Sequence, residues 1–216
     1  MTRTPATKLP ASAADRGRPR RKRDDEVVTA AAKVFYERGY SAATVQDIAD
    51  ELGILKGSLY HYIKTKEDLL FHLFEQVHEE VEGILEEVTA LEGVDPLARV
   101  RAYVHRQLVH NLNDLQRISI YYHELDRLGP DRRKSVVAWR RRHDHFLGDL
   151  IRTAQDEGYA DSSVDAQLLA NCVFATIIWP YRWFRVDHDG TPESVADACT
   201  DFVMRGVAGE VPLAGS

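Results

Sequence analysis

The sequence predicts an all-α protein. From Asp24 onward, apolar residues recur at the spacing of amphipathic helices. No segment shows the sustained alternation of apolar and polar residues, rich in β-branched side chains, that is typical of strands. The 216 residues are 44% hydrophobic and 29% charged, which suits one globular unit, or a small domain followed by a larger one.

The chain begins with a basic segment. Residues 1–22 have no apolar periodicity and are predicted to form a disordered basic arm. Residues 1–23 hold eight basic residues and one acid, a net charge of +7. Because the whole chain has a net charge of −6, the remaining residues carry −13. The stretch DRGRPRRKR is thin enough to lie in a DNA minor groove, whose negative potential would attract Arg16, Arg18 and Arg20. A basic tail that only aids solubility is the alternative.

Three helices are predicted after the arm, over about residues 24–38, 45–52 and 55–62. Gly39 ends the first helix and Gly53 the second. Thr44 can cap the second helix, with Asp47 placed as in a capping box. Two short helices joined by a glycine-containing turn, with a third packed behind them, form a helix-turn-helix over residues 23–68.

Six further helices are predicted to form a second domain over residues 69–216. Thr65 and Asp68 repeat the capping pattern, and Asp95 followed by Pro96 opens another helix. Their predicted spans are about residues 66–91, 96–112, 115–128, 131–157, 164–186 and 192–208.

A recognition helix must expose its N-terminal residues to base edges in the major groove. In GSLYHYIKTKEDLL, residues 57–70, Leu59 and Ile63 are the predicted inward anchors. The residues expected to face DNA are Lys56, Gly57, Ser58, Tyr60, His61 and Tyr62. Gly57 would let the backbone approach closely, and Lys66 is expected to reach a phosphate. One tyrosine is also expected to pack partly on a neighbouring helix.

The segments FYERGYSAATVQDIADELGI, GSLYHYI and KEDLL lie within residues 26–70. Together they resemble the DNA-binding domain of the TetR family of bacterial transcriptional regulators, with Ile63 where that family more often has phenylalanine. The resemblance implies a homodimer that binds a palindromic operator in double-stranded DNA, one recognition helix per half-site. The implied DNA contacts fall on Thr44, Gln46, Lys56, Ser58, Tyr60, His61, Tyr62 and Lys66.

The resemblance also implies an effector pocket and a dimer interface in the C-terminal helices. Residues 164–208 are the predicted homodimer interface because they are the most apolar, with an intramolecular core as the alternative. Pocket candidates combine aromatic surface with an occasional polar group. They are Tyr103, Gln107, Tyr121, Tyr122, Trp139, His143, Phe174, Ile178 and Trp179, and core packing is the alternative for each.

More pocket candidates lie in WPYRWFRVDHDG, residues 179–190. Arg182, Trp183 and Arg185 place guanidinium groups beside aromatic faces, which suits a ligand with a planar base and phosphates. The stretches IYYHELDRL and RWFR are similar to TetR-type repressors of lipid and steroid catabolism in actinobacteria, whose effectors are acyl-CoA thioesters. The alternative is pairing of the arginines with Asp187 or Asp189.

The sequence offers no catalytic constellation. The histidines of HDH at 143–145 splay apart on a helix, no His-Glu-x-x-His occurs, and neither a phosphate-binding glycine loop nor a Gly-x-Ser-x-Gly elbow is present. We therefore expect no enzyme, no cofactor and no metal site. The expected function is that of a repressor released from DNA by a small hydrophobic effector such as an acyl-CoA. A repressor that senses drugs or aromatic compounds, and an effector-independent DNA-binding protein, are the alternatives.

The compartment is predicted from the cysteines and the apolar stretches. Cys172 and Cys199 are expected to be buried thiols in a reducing cytoplasm rather than a disulfide. No secretory signal opens the chain. The longest apolar stretch, residues 168–181, is interrupted by Asn171 and Pro180 and is too short to span a bilayer. We therefore expect a cytoplasmic protein without a membrane partner.

Overall fold

A computed structural model describes the backbone of residues 20–209 and the side chains of residues 23–209. Within residues 20–209 there is no β-strand, so the predicted all-α fold class is confirmed. A short 3-10 turn covers Leu125–Arg127. The helices are α1 (Arg20–Arg38), α2 (Val45–Glu51), α3 (Lys56–Leu59), α4 (Lys66–Thr89), α5 (Pro96–Asn113), α6 (Leu115–His123), α7 (Pro130–Asp156), α8 (Ala166–Ile178), α9 (Pro180–Trp183), α10 (Val186–Asp189) and α11 (Pro192–Ala208).

The first of two compact units comprises residues 1–70, and residues 20–70 of it are described. Helix α1 packs against α2, and α2 packs against α3. Gly53 has a φ of +64°, in the left-handed region that favours glycine, and this reverses the chain between α2 and α3. The core is apolar, and its fully buried members are Ala31, Ile48, Ala49, Leu59, Leu69 and Leu70.

The helices before and after α3 both begin with a threonine–aspartate capping box. At α2, the Thr44 hydroxyl accepts from the Asp47 N–H at 3.1 Å, and the Asp47 carboxylate accepts from the Thr44 N–H at 2.8 Å. At α4, the matching distances between Thr65 and Asp68 are 3.2 Å and 2.7 Å. The hydrogen bonds from Thr44 hold the pKa of Asp47 below its usual value. Both predicted caps are confirmed.

We expect Thr44→Ala to lower the free energy of unfolding by about 1 kcal/mol, because α2 loses the hydroxyl that satisfies one of its first N–H groups. Urea unfolding followed by circular dichroism measures this loss. Thr44→Ser keeps a hydroxyl at the same place and should retain most of the stability. Equal losses in the two variants would mean that the hydroxyl is not the cause.

The second compact unit comprises residues 71–216, described as far as residue 209. Helix α5 lies at its centre and packs against α6, α7, α8, α9 and α11, while α7 also packs against α8. Three or four residues separate most neighbouring buried positions of α5, as in a helix with one continuous inner face. These buried residues are Pro96, Val100, Tyr103, Val104, Gln107, Leu108, Asn111 and Leu112.

The prediction of a single helix over residues 164–186 is wrong. Helix α8 ends at Ile178, α9 begins at Pro180, and a separate turn of helix forms α10. Proline has no N–H group to continue the ladder of a helix, but it fits the first position of a new one. The Phe184 N–H then bonds to the Pro180 carbonyl at 2.8 Å.

Three other predicted boundaries also differ. The helix predicted over residues 115–128 ends at His123, and the 3-10 turn of Leu125–Arg127 follows it. Helix α1 begins at Arg20, so residues 20–22 are helical rather than part of a disordered arm, and residues 1–19 lie outside the described residues. Helix α3 is only four residues long, because turns replace the helix after Leu59. Short, exposed helix ends are set by local packing that periodicity does not reveal.

Cys172 and Cys199 are free thiols, as predicted. The predicted burial of Cys172 is wrong, because its face of α8 lies on the surface of the single chain, and Cys199 is half-buried. Among the helices of residues 20–209, none combines the length and the apolar character needed to cross a lipid bilayer.

Candidate DNA interface and effector cavity

The first turn of α3 is open on one side and anchored on the other. Lys56 and Gly57 are exposed, and a Cβ atom at Gly57 would meet no atom within 4 Å. Leu59 and Ile63 are 0% and 4% exposed, as the sequence predicts for the inward anchors. Ser58 is half-buried between the two sides. The helix therefore offers backbone and polar groups outward while apolar side chains hold it in place.

The three consecutive rings after α3 lie in different surroundings. Tyr60 is 48% exposed and His61 is exposed, whereas Tyr62 is half-buried. The chain turns here, since the His61 N–H bonds to the Ser58 carbonyl at 3.2 Å and the Tyr62 N–H to the Leu59 carbonyl at 2.9 Å. Tyr62 is thus the tyrosine that packs partly on its neighbours. Tyr60 and His61 are left on the surface.

The two candidate contacts near the start of α2 are exposed but already hydrogen-bonded within the chain. Thr44 belongs to the capping box with Asp47. The Gln46 amide donates to the Asp50 carboxylate at 2.7 Å, one turn further along. A DNA contact by Gln46 would therefore exchange this bond for another rather than use a group without a partner.

Lys66 points toward the connection between α1 and α2. Its ammonium donates to the Tyr40 carbonyl at 2.6 Å and to the Ala43 carbonyl at 2.8 Å. A longer bond of 3.4 Å reaches the Ser41 carbonyl, and the Tyr40 ring centroid lies 4.4 Å away. These contacts tie the start of α4 to that connection. The phosphate contact expected of Lys66 would require the ammonium to leave these carbonyls.

The positions of the three arm arginines relative to the other DNA-contact candidates are not described by the structure. Arg16 and Arg18 lie outside the described residues. The backbone of Arg20 forms the first residue of α1, and its side chain is outside the described set. Contacts between these arginines and a minor groove stay a prediction.

We expect Lys66→Met to lower the free energy of unfolding by about 1–3 kcal/mol, because the carbonyls of Tyr40 and Ala43 lose their donor. Lys56→Met, at an exposed position, should change it by less than about 0.5 kcal/mol. The Lys56 variant should instead weaken DNA binding and relax the preference for the base that Lys56 faces, since its ammonium is expected to reach a base edge. Urea unfolding measures the stability of both variants, and mobility-shift titrations with operator variants at several salt concentrations measure their DNA binding. If only the salt dependence changes in Lys66→Met, its role is a phosphate contact.

A cavity of about 200 Å³, partly open to solvent, lies in the second unit. Seven of the twelve effector candidates line it, on helices α5, α6, α7 and α8. They are Tyr103, Gln107, Tyr121, Tyr122, His143, Phe174 and Ile178. The remaining lining residues are Val77, Val81, Asn111, Ile118, Arg140, Asp144 and Ile177. The cavity is therefore mainly aromatic and aliphatic, with a few polar groups in its wall.

Two polar residues of α5 connect the cavity wall to α8. The side-chain amide of the buried Asn111 donates to the Ile177 backbone carbonyl at 3.0 Å. The side-chain amide of Gln107 donates to the side-chain oxygen of Asn111, also at 3.0 Å. Among the described residues, the side-chain oxygen of Gln107 and the Tyr103 hydroxyl have no hydrogen-bond partner. Burial raises the pKa of Tyr103, so its hydroxyl remains a donor at any physiological pH. A ligand with one donor and one acceptor could satisfy both groups.

Arg140 and Asp144 add charge to the cavity wall, and neither was among the sequence-based candidates. The Arg140 guanidinium lies 4.5 Å from the Tyr121 ring centroid and 5.2 Å from that of Tyr122, and it donates to the Tyr121 carbonyl. Burial raises the pKa of Asp144. Arg140 lies three residues before His143 and four before Asp144, so helical spacing from His143 could have found Arg140, and Asp144 only through Arg140.

Five effector candidates lie outside the cavity wall. Trp139 instead stacks on His78, with ring centroids 4.5 Å apart. Trp179 and Trp183 are 58% and 44% exposed. The Arg182 guanidinium lies 5.8 Å from the Trp179 ring centroid. The Arg185 guanidinium donates to the Phe184 carbonyl at 2.8 Å, and Asp189 accepts from the Arg185 backbone N–H, not from its side chain.

A helix-turn-helix unit followed by a helical unit that contains a cavity is the organisation of a ligand-responsive DNA-binding regulator. Two family models match this chain: "Bacterial regulatory proteins, tetR family" at residues 27–73 and "Tetracyclin repressor-like, C-terminal domain" at residues 93–207. The chain belongs to the TetR family of transcriptional regulators. The sequence-based family assignment is confirmed, and the relatives described next are regulators rather than enzymes.

Curated and solved relatives cover most of the chain. It is 29% identical to the HTH-type transcriptional repressor KstR2 of Mycobacterium tuberculosis, over 87% of this chain and 94% of that protein. The structure of the ketosteroid transcriptional regulator KstR2 of M. tuberculosis has a TM-score of 0.80 and 26% identity, covering 87% and 96% of the two chains. AibR in complex with isovaleryl coenzyme A and operator DNA has a TM-score of 0.75 and 26% identity, covering 83% and 97%.

Proposed function

We propose that this chain is a homodimeric transcriptional repressor that binds a palindromic operator and is released by a small hydrophobic effector. The observation that carries the proposal is the combination, in one chain, of an exposed recognition helix and an aromatic cavity. Effector binding would favour a dimer whose two recognition helices no longer match adjacent major grooves. The repressor name of the KstR2 relatives supports repression rather than activation.

Helix α3 would enter the major groove. Lys56, Gly57 and Ser58 would face base edges, since a lysine ammonium suits guanine acceptors and a glycine allows close approach. Tyr60 and His61, which remain on the surface, would contact phosphates. The free N–H groups at the capped start of α2 would favour a phosphate as well. The basic arm would add binding that depends on salt.

The dimer interface would lie on α8 and α11. Phe202 on α11 is 70% exposed, and Leu168 on α8 is 54% exposed. An apolar groove of about 460 Å³ runs between the two helices. Its wall includes Leu169, Cys172, Val173, Thr176, Phe202, Val203 and Gly206. A second copy of the same face would cover this surface and the exposed thiol of Cys172.

The effector would be an acyl-CoA thioester whose acyl group enters the cavity. Sites for drug-sized ligands have volumes of about 300–1,000 Å³. The cavity of about 200 Å³ is smaller, so it fits an acyl group, and the nucleotide of coenzyme A would remain outside. The coenzyme A complex of AibR supports this class of effector. The aromatic wall formed by Tyr103, Tyr121, Tyr122 and Phe174 equally favours an aromatic compound as the second candidate.

We expect acyl-CoA thioesters to release the protein from operator DNA, and Ile118→Phe to abolish that release. Ile118 lines the cavity, so the larger ring would occupy the volume that the acyl group needs. Ile120→Phe is the matched control, because Ile120 is buried on the same helix but does not line the cavity. Mobility-shift titration of upstream intergenic DNA with acyl-CoAs, free fatty acids and aromatic compounds measures both.

The same titration separates the alternatives. Release by aromatic compounds alone would replace the thioester with an aromatic effector. Release by no compound of the panel would favour an effector-independent DNA-binding protein. Thermal unfolding of both variants shows whether overpacking, which costs about 1–3 kcal/mol, affects them equally.

We expect Phe202→Glu to convert the dimer to a monomer, because a carboxylate at the centre of an apolar interface loses its hydration without a partner. Light scattering after gel filtration should give the mass of one chain instead of two. Tyr36→Glu is the control, since Tyr36 is 50% exposed and lies on α1, in the first unit, rather than on α8 or α11. A dimer that survives Phe202→Glu would place the interface elsewhere.

A further inference from the structure

Two helices bring three potential metal ligands together at the cavity. His78 and Glu82 lie one turn apart on α4, and His143 lies on α7. The His78 Nδ1 atom is 3.3 Å from the His143 Nε2 atom and 3.8 Å from a Glu82 carboxylate oxygen. The same oxygen is 3.3 Å from the His143 Nε2 atom.

The spacing of these atoms fits a transition-metal ion. A point equidistant from the three atoms lies about 2.0 Å from each of them, the usual length of Zn–N and Zn–O bonds. A small displacement of that point out of their plane gives about 2.1 Å, which is still a normal bond length, and opens a fourth position. A more widely spaced cluster of the same side chains would place this point too far from the three atoms for a metal–ligand bond.

The protonation states also suit a metal. Burial lowers the pKa of His143 to about 4 and, less strongly, the pKa of His78, so both rings are neutral at pH 7 and carry a lone pair. Burial would raise the pKa of Glu82, but the hydrogen bonds and charge of Arg142 outweigh it and keep the carboxylate ionised. Neutral imidazoles and an ionised carboxylate are the forms that ligate.

Two neighbouring side chains affect how the cluster could bind a metal: one orients a ligand ring, and the other carries a competing positive charge. Trp139 stacks on His78 with an interplanar angle of 7°, which fixes the plane of that ring. The Arg142 Nε atom donates to both Glu82 oxygens at 2.8 and 2.9 Å, so its charge competes with a cation. The Arg142 side chain is 66% exposed and can turn into solvent without leaving a buried charge.

We propose that His78, Glu82 and His143 form a binding site for a divalent transition-metal ion of the zinc class. Two imidazoles and one carboxylate suit Zn²⁺, Co²⁺ and Ni²⁺ much better than Mg²⁺, which prefers oxygen ligands in octahedral geometry. His143 also lines the cavity, so the fourth position lies near its wall and would hold water or a donor atom of a cavity ligand. The site stands independently of the acyl-CoA proposal.

Titration of the EDTA-treated full-length protein with Co²⁺ tests the site. The expected result is one Co²⁺ per chain, with the intense visible d–d bands of four-coordinate cobalt, which Zn²⁺ displaces and excess Mg²⁺ does not. Zn²⁺ should also raise the melting temperature, because it binds the folded chain. Six-coordinate spectra, or a thiolate-to-cobalt band from Cys172, would overturn the proposal.

Four variants locate the metal. His78→Gln, Glu82→Gln and His143→Gln should each weaken Co²⁺ binding by more than about 100-fold, since even outer-shell partners cost 10–100-fold. His72→Gln is the matched control, because His72 lies on the same helix beside a single carboxylate, that of Glu75 at 4.0 Å. It should bind Co²⁺ like the wild type.

A fifth variant distinguishes a metal site from a merely structural cluster. Arg142→Gln removes the competing charge, so it should bind Co²⁺ at least as tightly as the wild type. Weaker binding in this variant, or unchanged binding in His78→Gln and Glu82→Gln, would overturn the proposal. These positions are only partly buried, so the test does not depend on whether His143→Gln folds.

Discussion

The hydrogen bond from the Asn111 amide to the Ile177 carbonyl is the contact on which the second unit depends. The last four carbonyls of a helix lack intrahelical partners, and Ile177 belongs to the last turn of α8. A buried carbonyl without a partner would cost about 1–3 kcal/mol. The side chain of α5 satisfies this carbonyl where Pro180 begins the next helix. The inner side of the α8 end is therefore hydrogen-bonded although it faces α5 rather than solvent.

This bond also explains where the cavity lies. Asn111 holds α5 and α8 together at one point, and Gln107 supports Asn111 from the preceding turn. Both amides are used in this way, so they line the cavity with fixed orientation while the Gln107 oxygen and the Tyr103 hydroxyl remain for a ligand. Preorganised polar groups in an apolar wall are typical of binding sites for small molecules. The fold and the cavity thus share the same buried polar residues.

Local patterns predicted more of the fold than of the sites. Capping at Thr44 and Thr65 depends on residues three positions away, so the sequence indicated it correctly. The carbonyl partners of Lys66 lie more than 20 positions earlier, and only the tertiary structure reveals them. The candidates Tyr103 and Gln107 on α5 were chosen for aromatic surface beside a polar group, and both line the cavity. The tryptophan and arginine candidates around Pro180 do not line the cavity. The helix breaks at that proline, and a single continuous helix had been predicted there.

Helix α3 has a consequence for how such a protein can change its target. It has no side-chain cap of its own, and Leu59 is its only fully buried residue. Its position is fixed by the capped helices before and after it rather than by the residues that would face DNA. Substitutions at Lys56 or Ser58 can therefore alter the preferred base sequence while leaving stability almost unchanged. Under the proposed function, operator specificity is free to evolve separately from the fold.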